Sequence, residues 1–310
     1  MKKVGIFLKS GFGNLGFGSG ALKVLIACLG HHNIEIVKLI GCSAGSFAIP
    51  SFAIRRPDRV SAAWFNLKPS DVSRFKFQHP FHGLSILNPA SLEKYTKQFI
   101  EPDLDLIFSE KAIPFEIITT DLKTGNGVYF QNTLENKSRL IDICMASAGI
   151  VPFFPPRTID NLILVDGAFS DDLPLKRFME AGCDIVFVVD LYDGLPAFDN
   201  NPKKAIWPEF LLRMMQINTN QHSRLRLDLS ERINKELEVV REQKLPMSAV
   251  NKLCLDGLVQ CNVQFVIPAI PIRHISFRDF TEVEKWALPA IGYWAAKTTV
   301  KKLGIDYEGV

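Results

Sequence analysis

A chain of 310 residues can bury a substantial core, as one large domain or two small ones. Its 47% hydrophobic and 22% charged residues exclude a disordered or fibrous chain. A formal charge of +3 is nearly balanced, so no nucleic-acid partner is expected and only a mild preference for anionic surfaces is left open.

The first apolar stretch, Val4–Leu8, is too short for a leader peptide and runs straight into glycines, so it reads as a buried strand. Gly11–Gly20 reads as a glycine-rich loop and Ala21–Gly30 as a helix that Gly30 ends. Glu35–Ile40 is a second strand, followed by a helix over Ala44–Arg55 that Pro50 kinks or bounds. Residues 56–110 read as helices and loops, punctuated by Pro57, Pro69, Pro80, Pro89 and Pro102. Strand signals return at Phe115–Thr120 and Gly127–Phe130, on either side of the turn Lys123–Asn126. Leu140–Ser147 looks helical, and Leu162–Val165 and Ile185–Val189 have the β-branched, apolar character of inner strands. Residues 194–206 form a Pro/Asn/Lys loop. After it, Leu225, Leu229, Ile233, Leu237 and Val240 recur at helical spacing, predicting a helix over 222–241 with this face on the sheet, the alternative being a membrane- or partner-contacting helix. A strand at Asn262–Ile267 and a helix at about Glu282–Lys302 complete the chain. The alternation predicts an α/β fold with a mainly parallel sheet, as one domain over 1–310, with 194–310 as its C-terminal helical layer.

The six cysteines (Cys28, Cys42, Cys144, Cys183, Cys254, Cys261) show no CxxC pair and no Cys/His ligand spacing. Reduced thiols, a cytoplasmic location and no metal are expected. No apolar run is long enough to cross a bilayer, so any contact with a membrane is expected to be peripheral.

Gly41-Cys42-Ser43-Ala44-Gly45 stands directly after the second strand. A serine between small residues at a strand-to-helix turn can adopt a sharp backbone that exposes its hydroxyl, as a nucleophile requires. One strand earlier, Gly11-Phe12-Gly13-Asn14-Leu15-Gly16 fits GxGxxG. A dinucleotide site would also need an acidic residue at the end of the second strand. Gly41-Cys42-Ser43 occupies that end, and Glu35 lies at the other. Pointed instead at a developing oxyanion, the amides of this loop would assist acyl transfer at Ser43.

Such a serine needs a base. Of the six histidines, His31 and His32 sit at a helix C-terminus, His79 and His82 in a Pro/Gly-bounded loop, and His222 at the start of the charged helix. His274 comes late enough for a Ser-His-Asp triad, with Asp190 to orient it. That hydrolase fold, however, places several strands ahead of its nucleophile, and here there is room for one. A carboxylate is the other choice. Asp166 ends the apolar strand Leu162–Val165 and is followed by Gly167, which puts it at the expected catalytic edge of the sheet. Asp171, Asp172 and Asp190 lie at comparable positions.

Gly11–Gly16, Gly41–Gly45 and Asp166-Gly167-Ala168, in this order, resemble the patatin-like phospholipase family, with its glycine-rich oxyanion loop, GxSxG and DG[AG]. Between them, Thr120-Asp121-Leu122-Lys123-Thr124-Gly125 is similar to the family's TDL-x-TG hairpin. Ala146–Pro156 resembles its AS-x-A-x-P-x-x-FPP stretch, and Val165–Pro174 its VDGG-x-x-DNLP segment, with Asp172 where Asn is commoner. The likeness covers about residues 4–193. It implies a three-layer α/β/α fold and a Ser–Asp dyad acting on a lipid ester without an organic or metal cofactor. Ser43 would be the nucleophile, Asp166 the base, and the Gly11, Phe12, Gly13 and Asn14 backbone the oxyanion cradle. Gly16, Gly41, Gly45, Gly167 and Ala168 would shape the turns. The alternatives are a catalytically silent lipid-binding relative and the His274 triad.

Overall fold

Ile6 and Phe7 are adjacent, and both are fully buried because the strand that carries them is covered on two faces. The computed structural model describes residues 1–29, 34–72, 74–75, 87–191, 207–242, 261–269 and 280–305. Its main sheet comprises β1 (Lys2–Leu8), β2 (Ile34–Cys42), β5 (Phe115–Asp121), β6 (Gly127–Gln131), β7 (Arg157–Ile159), β8 (Leu162–Asp166), β9 (Ile185–Val189) and β10 (Asn262–Val266). The order is β10-β9-β1-β2-β5-β8-β7, with β6 also paired to β5. Two short strands, β3 (Arg74–Phe75) and β4 (Leu87–Asn88), pair separately. The helices are α1 (Gly13–Leu29), α2 (Ala44–Ala53), α3 (Pro57–Asn66), α4 (Pro69–Val72), α5 (Ala90–Ile100), α6 (Leu104–Ile107), α7 (Leu140–Ser147), α8 (Leu175–Glu180), α9 (Trp207–Glu242) and α10 (Glu282–Lys302).

Period-two alternation divides the core. Val4, Ile6 and Leu8 face a layer that includes α1, α2, α3 and α10, where Phe17, Phe52 and Trp64 are fully buried. Phe7, Ile40 and Ile118 face the other side, with Leu175 and Phe178 of α8 and the half-buried Leu227, Ile233 and Leu237 of α9. The result is an α/β/α arrangement with a mostly parallel sheet, and burying each large apolar side chain stabilises it by about 1.5–3 kcal/mol.

Three local expectations change. The loop expected over Gly11–Gly20 ends early, because α1 starts at Gly13. Inside this helix the glycines serve close packing rather than turning. A Cβ on Gly20 would lie 1.8 Å from the Pro289 carbonyl oxygen of α10, and one on Gly16 2.4 Å from Trp64. Reciprocally, a Cβ on Gly292 of α10 would lie 1.9 Å from the Phe17 oxygen. Next, β8 runs antiparallel to β5, so Asp166 does not reach the edge that carries Ser43 by a parallel crossover. Finally, α9 presents Leu227, Ile233 and Leu237 to the sheet, while Leu225 and Leu229 are exposed. Ser223 and Ser230 are buried on the inner face instead, so hydroxyls there replaced part of the expected apolar pattern. The Val240 side chain lies outside the described residues.

Cys42, Cys144, Cys183 and Cys261 are free and buried. The Cys28 side chain and Cys254 lie outside the described residues. Among the described residues, no helix is long and apolar enough to cross a membrane.

Candidate active site

Strand β2 ends at Cys42 and α2 begins at Ala44, which leaves Ser43 alone in the turn with φ 53° and ψ −123°. A non-glycine residue in that region is strained, and the surroundings hold it there. A Cβ on Gly45 would stand 2.2 Å from the Leu8 oxygen, and one on Gly41 2.7 Å from Ile49 Cγ1. Only glycine lets α2 approach β1 this closely. The turn is pinned on both sides. The Ser43 N–H donates to Ser147 Oγ at 2.9 Å, and the Ser46 hydroxyl donates to the Ser43 carbonyl at 2.6 Å. Ser147, the last residue of α7, in turn donates its hydroxyl to the Ile118 carbonyl of β5 at 2.6 Å.

Asp166 reaches the same place from the opposite direction. In the register of the sheet, Ile118 of β5 pairs with Cys42 of β2, and the next residue, Thr119, pairs with Asp166 of β8. The two strands meet head to head along β5. Gly167 lets the chain turn there, since a Cβ would lie 2.3 Å from the Ile118 oxygen. The Asp166 backbone is held by its N–H to the Gly149 carbonyl (3.1 Å) and by the Thr120 hydroxyl donating to its own carbonyl (2.8 Å).

The Asp166 carboxyl is 2% exposed, and burial pushes its pKa up to about 7. The Ser43 hydroxyl and the Ala168 N–H, which donates to Oδ1 at 2.9 Å, pull the other way, and the charge of Asp172 adds to the rise. Oδ2 is buried and completes no hydrogen bond of good geometry, so the Ser43 hydroxyl faces this carboxyl without being locked onto it. Loose hydrogen bonds of this kind are common in unliganded catalytic sites.

The glycine loop leads from β1 into α1. Gly11 has φ 114°, a conformation that favours glycine. The Asn14 N–H donates to the Gly11 carbonyl (3.0 Å) and the Leu15 N–H to that of Phe12 (3.1 Å), whereas the Gly11, Phe12 and Gly13 amides meet no acceptor among the described residues. Asn14 therefore differs from the expectation that its amide joins the cradle. Its fully buried side chain is a strut, with Nδ2 donating to the Ser10 carbonyl (2.6 Å) and Oδ1 accepting the Leu191 N–H beyond β9.

The other carboxylates are engaged elsewhere. Lys9, directly after β1, lies 3.0 Å from Asp190 and 3.4 Å from Asp172. Asp172 also accepts from the Ser10 and Ser223 hydroxyls, the latter at 3.0 Å from α9. Asp171 accepts from Tyr129 and pairs with Arg226 of α9 at 3.1 Å. Of the four acidic candidates, Asp166 is the one that faces Ser43. His222 is half-buried on α9 and does not line the cavity, and His31, His32, His79, His82 and His274 lie outside the described residues.

Ser43, Asp166, Gly11, Phe12 and Ala168 open onto one cavity of about 200 Å³. Its far walls are mostly apolar, with Phe47 of α2, Leu67 after α3 and Phe99 of α5 among them, and Met215 and Thr219 of α9 close one side. Arg59 also reaches it, with its charge met by Asp103 at 2.9 Å. No group of three or more His, Cys, Asp or Glu among the described residues is arranged to hold a metal ion.

Sequence reasoning missed Ser147, Lys9 and the cavity-lining part of α9. A hydroxyl ending the largely apolar helix Leu140–Ser147 and a lysine directly after a buried strand were the available signals for the first two.

A model of the patatin-like phospholipase family matches residues 8–179, more than half of the chain. The chain belongs to the patatin-like phospholipase family. This is a family of lipid acyl hydrolases, and the matched segment contains the glycine loop from Gly11, Ser43 and Asp166. Relatives at 24% identity over 209 residues are NTE family proteins of Mycobacterium tuberculosis and Mycobacterium bovis. The match takes in 65% of this chain and 55% of theirs, so it spans about half the length of these curated relatives. Among solved structures, VipD from Legionella pneumophila superposes with a TM-score of 0.51 at 9% identity, over 97% of this chain and 67% of that one, which shows a shared patatin-like fold.

Proposed function

We propose that this protein hydrolyses the carboxylic ester of a phospholipid or related lipid through an acyl-enzyme on Ser43. One observation carries the reading: a strained serine hydroxyl faces a buried carboxyl of raised pKa, Asp166, at one end of an apolar cavity. The acyl chain lies in the cavity, with the ester carbonyl carbon at Ser43 Oγ. As Oγ bonds to that carbon, its proton passes to Asp166 Oδ2, and the carbonyl electron pair moves onto oxygen. The Gly11, Phe12 and Gly13 amides receive this oxyanion, each such donor being worth about a hundredfold or more in kcat. Collapse of the intermediate expels the alcohol, which takes the proton from Asp166. Water then attacks the acyl-enzyme, loses its proton to the same carboxylate, and returns Ser43 with its hydroxyl. A carboxyl with a pKa near 7 suits both halves of the cycle, because it takes and gives a proton at nearly equal cost at neutral pH.

The test is to incubate wild type, Ser43→Ala and Asp166→Asn with mixed phospholipids and to identify released products by mass spectrometry. Fatty acid release by wild type alone is expected, together with fluorophosphonate labelling of Ser43. A wild type that neither labels nor releases fatty acid would be a silent lipid-binding protein. Full activity in Asp166→Asn with loss in His274→Ala would replace the dyad with a triad.

A further inference from the structure

Helix α10 buries one face and, among the described residues, leaves much of the other exposed. Gly292, Ala295, Ala296 and Val300 pack inward. Val283, Trp286, Ala290 and Trp294 follow at intervals of three and four, which places them in one outward stripe. Val283 is 75% exposed, Trp286 68% and Trp294 61%. A lone exposed leucine needs no explanation, whereas two tryptophans in a single stripe do. Phe65 of α3 packs on Trp286 with ring centroids 4.7 Å apart and continues the patch.

The stripe then turns basic. Lys297 Nζ sits over the Trp294 ring at 5.2 Å, and Lys301 and Lys302 are exposed in the last turn. The acidic residues of the helix itself are in its first turn and are occupied there: Glu284 closes a capping box on Thr281, and Glu282 pairs with Lys285. The helix also begins at the catalytic edge. Phe280, just before Thr281, packs on Phe12 of the glycine loop with centroids 5.0 Å apart, and Phe12 lines the cavity.

From this we infer that the outward face of α10, extended by Phe65, docks the protein onto an anionic lipid bilayer. Indole rings carry an apolar body with a polar N–H and settle at the headgroup level, and lysine stems lie along them with the ammonium toward phosphate. A helix with an apolar stripe and a basic end lies in the plane of such an interface and binds it more strongly as anionic lipid increases. The surface therefore complements the membrane in polarity and charge, and it starts beside the loop that meets the substrate. The choice of a bilayer as occupant rests on the lipid-hydrolase reading, but docking itself requires no chemistry.

The experiment uses full-length Ser43→Ala protein, sedimented with vesicles of phosphatidylcholine alone or mixed with phosphatidylserine. Binding to the mixed vesicles is expected, weakening with salt. It should fall at least about tenfold when Trp286→Ser and Trp294→Ser are added. Lys301→Gln with Lys302→Gln should abolish the preference for phosphatidylserine. In the Ser43 background, the tryptophan variant should retain wild-type turnover of a short, water-soluble ester, showing that the fold is intact. Equal vesicle binding with and without the tryptophans overturns the docking face. So does a loss of dimer on size exclusion, which would make the stripe a contact between copies. Vesicle binding without any ester hydrolysis by wild type would leave the docking face standing and overturn the hydrolase reading. Lipid hydrolysis with tryptophan-independent binding would do the reverse.

Discussion

Ser147 Oγ accepts the backbone N–H of Ser43 at 2.9 Å and donates to the Ile118 carbonyl at 2.6 Å, so one hydroxyl ties the turn at Ser43 to the central strand. Ser147→Ala leaves a buried N–H and a buried carbonyl without this partner, at a cost of about 1–3 kcal/mol each. Because the turn is strained, the loss is expected mainly in the orientation of Oγ. On a soluble ester, kcat should drop about tenfold or more with KM nearly unchanged, and Tm should fall by a few degrees in the same preparation.

Asp166 titrates in the neutral range, which gives activity and stability opposite pH trends. In the proposed mechanism only the carboxylate can take the Ser43 proton, so kcat/KM should rise through an inflexion near 7 and then level off. In the unfolded chain the same group has a pKa of about 4. From there up to about 7 the native state holds a proton that the unfolded state has lost. The stability contributed by this difference is therefore full below about pH 4 and declines as pH rises through the folded value. Asp166→Asn should remove that decline along with the activity. Measured by urea unfolding, the variant should gain stability over wild type between about pH 5 and pH 8.

Lys9 is the cation between Asp172 and Asp190, at 3.4 and 3.0 Å. Burial lowers its pKa, but the charges of Asp190 and Asp172 more than reverse this and raise it. Lys9→Met would leave two buried carboxylates facing each other, a loss of about 3–5 kcal/mol. Chemical denaturation should show it, and adding Asp172→Asn should recover part of it.

The contact of α1 with α10 allows no side chain at Gly20, where a Cβ would meet the Pro289 oxygen at 1.8 Å. Gly20→Ala must push the helices apart or distort α10, at about 1–3 kcal/mol or more. A lower urea midpoint with an unchanged m-value is expected, since the unfolded state is hardly altered.

The turn at Ser43 and its glycines were legible because each does one local job: Gly41 and Gly45 leave room, and Ser43 takes the turn. Asp166 was legible as the end of an apolar strand, but its direction was not. Whether β8 runs with or against β5 depends on partners far away in sequence, and no local pattern records that. Gly16 and Gly20 were read as turn residues because glycine signals either a turn or a close approach, and only the neighbour that approaches decides between them. On α9 the periodic leucines were visible, yet Leu225 and Leu229 proved exposed while Ser223 turned inward to reach Asp172. A polar partner outweighed the apolar pattern there.

The head-to-head meeting of β2 and β8 on consecutive residues of β5 has a consequence for biosynthesis. The serine emerges from the ribosome more than a hundred residues before the carboxylate proposed to activate it. Under the proposed dyad, that serine is an ordinary alcohol, inert toward esters, until the later strand is made and docked. On the proposed reading, a nascent chain close to a membrane would not digest it, and the capacity to do so would arrive only when the sheet closes.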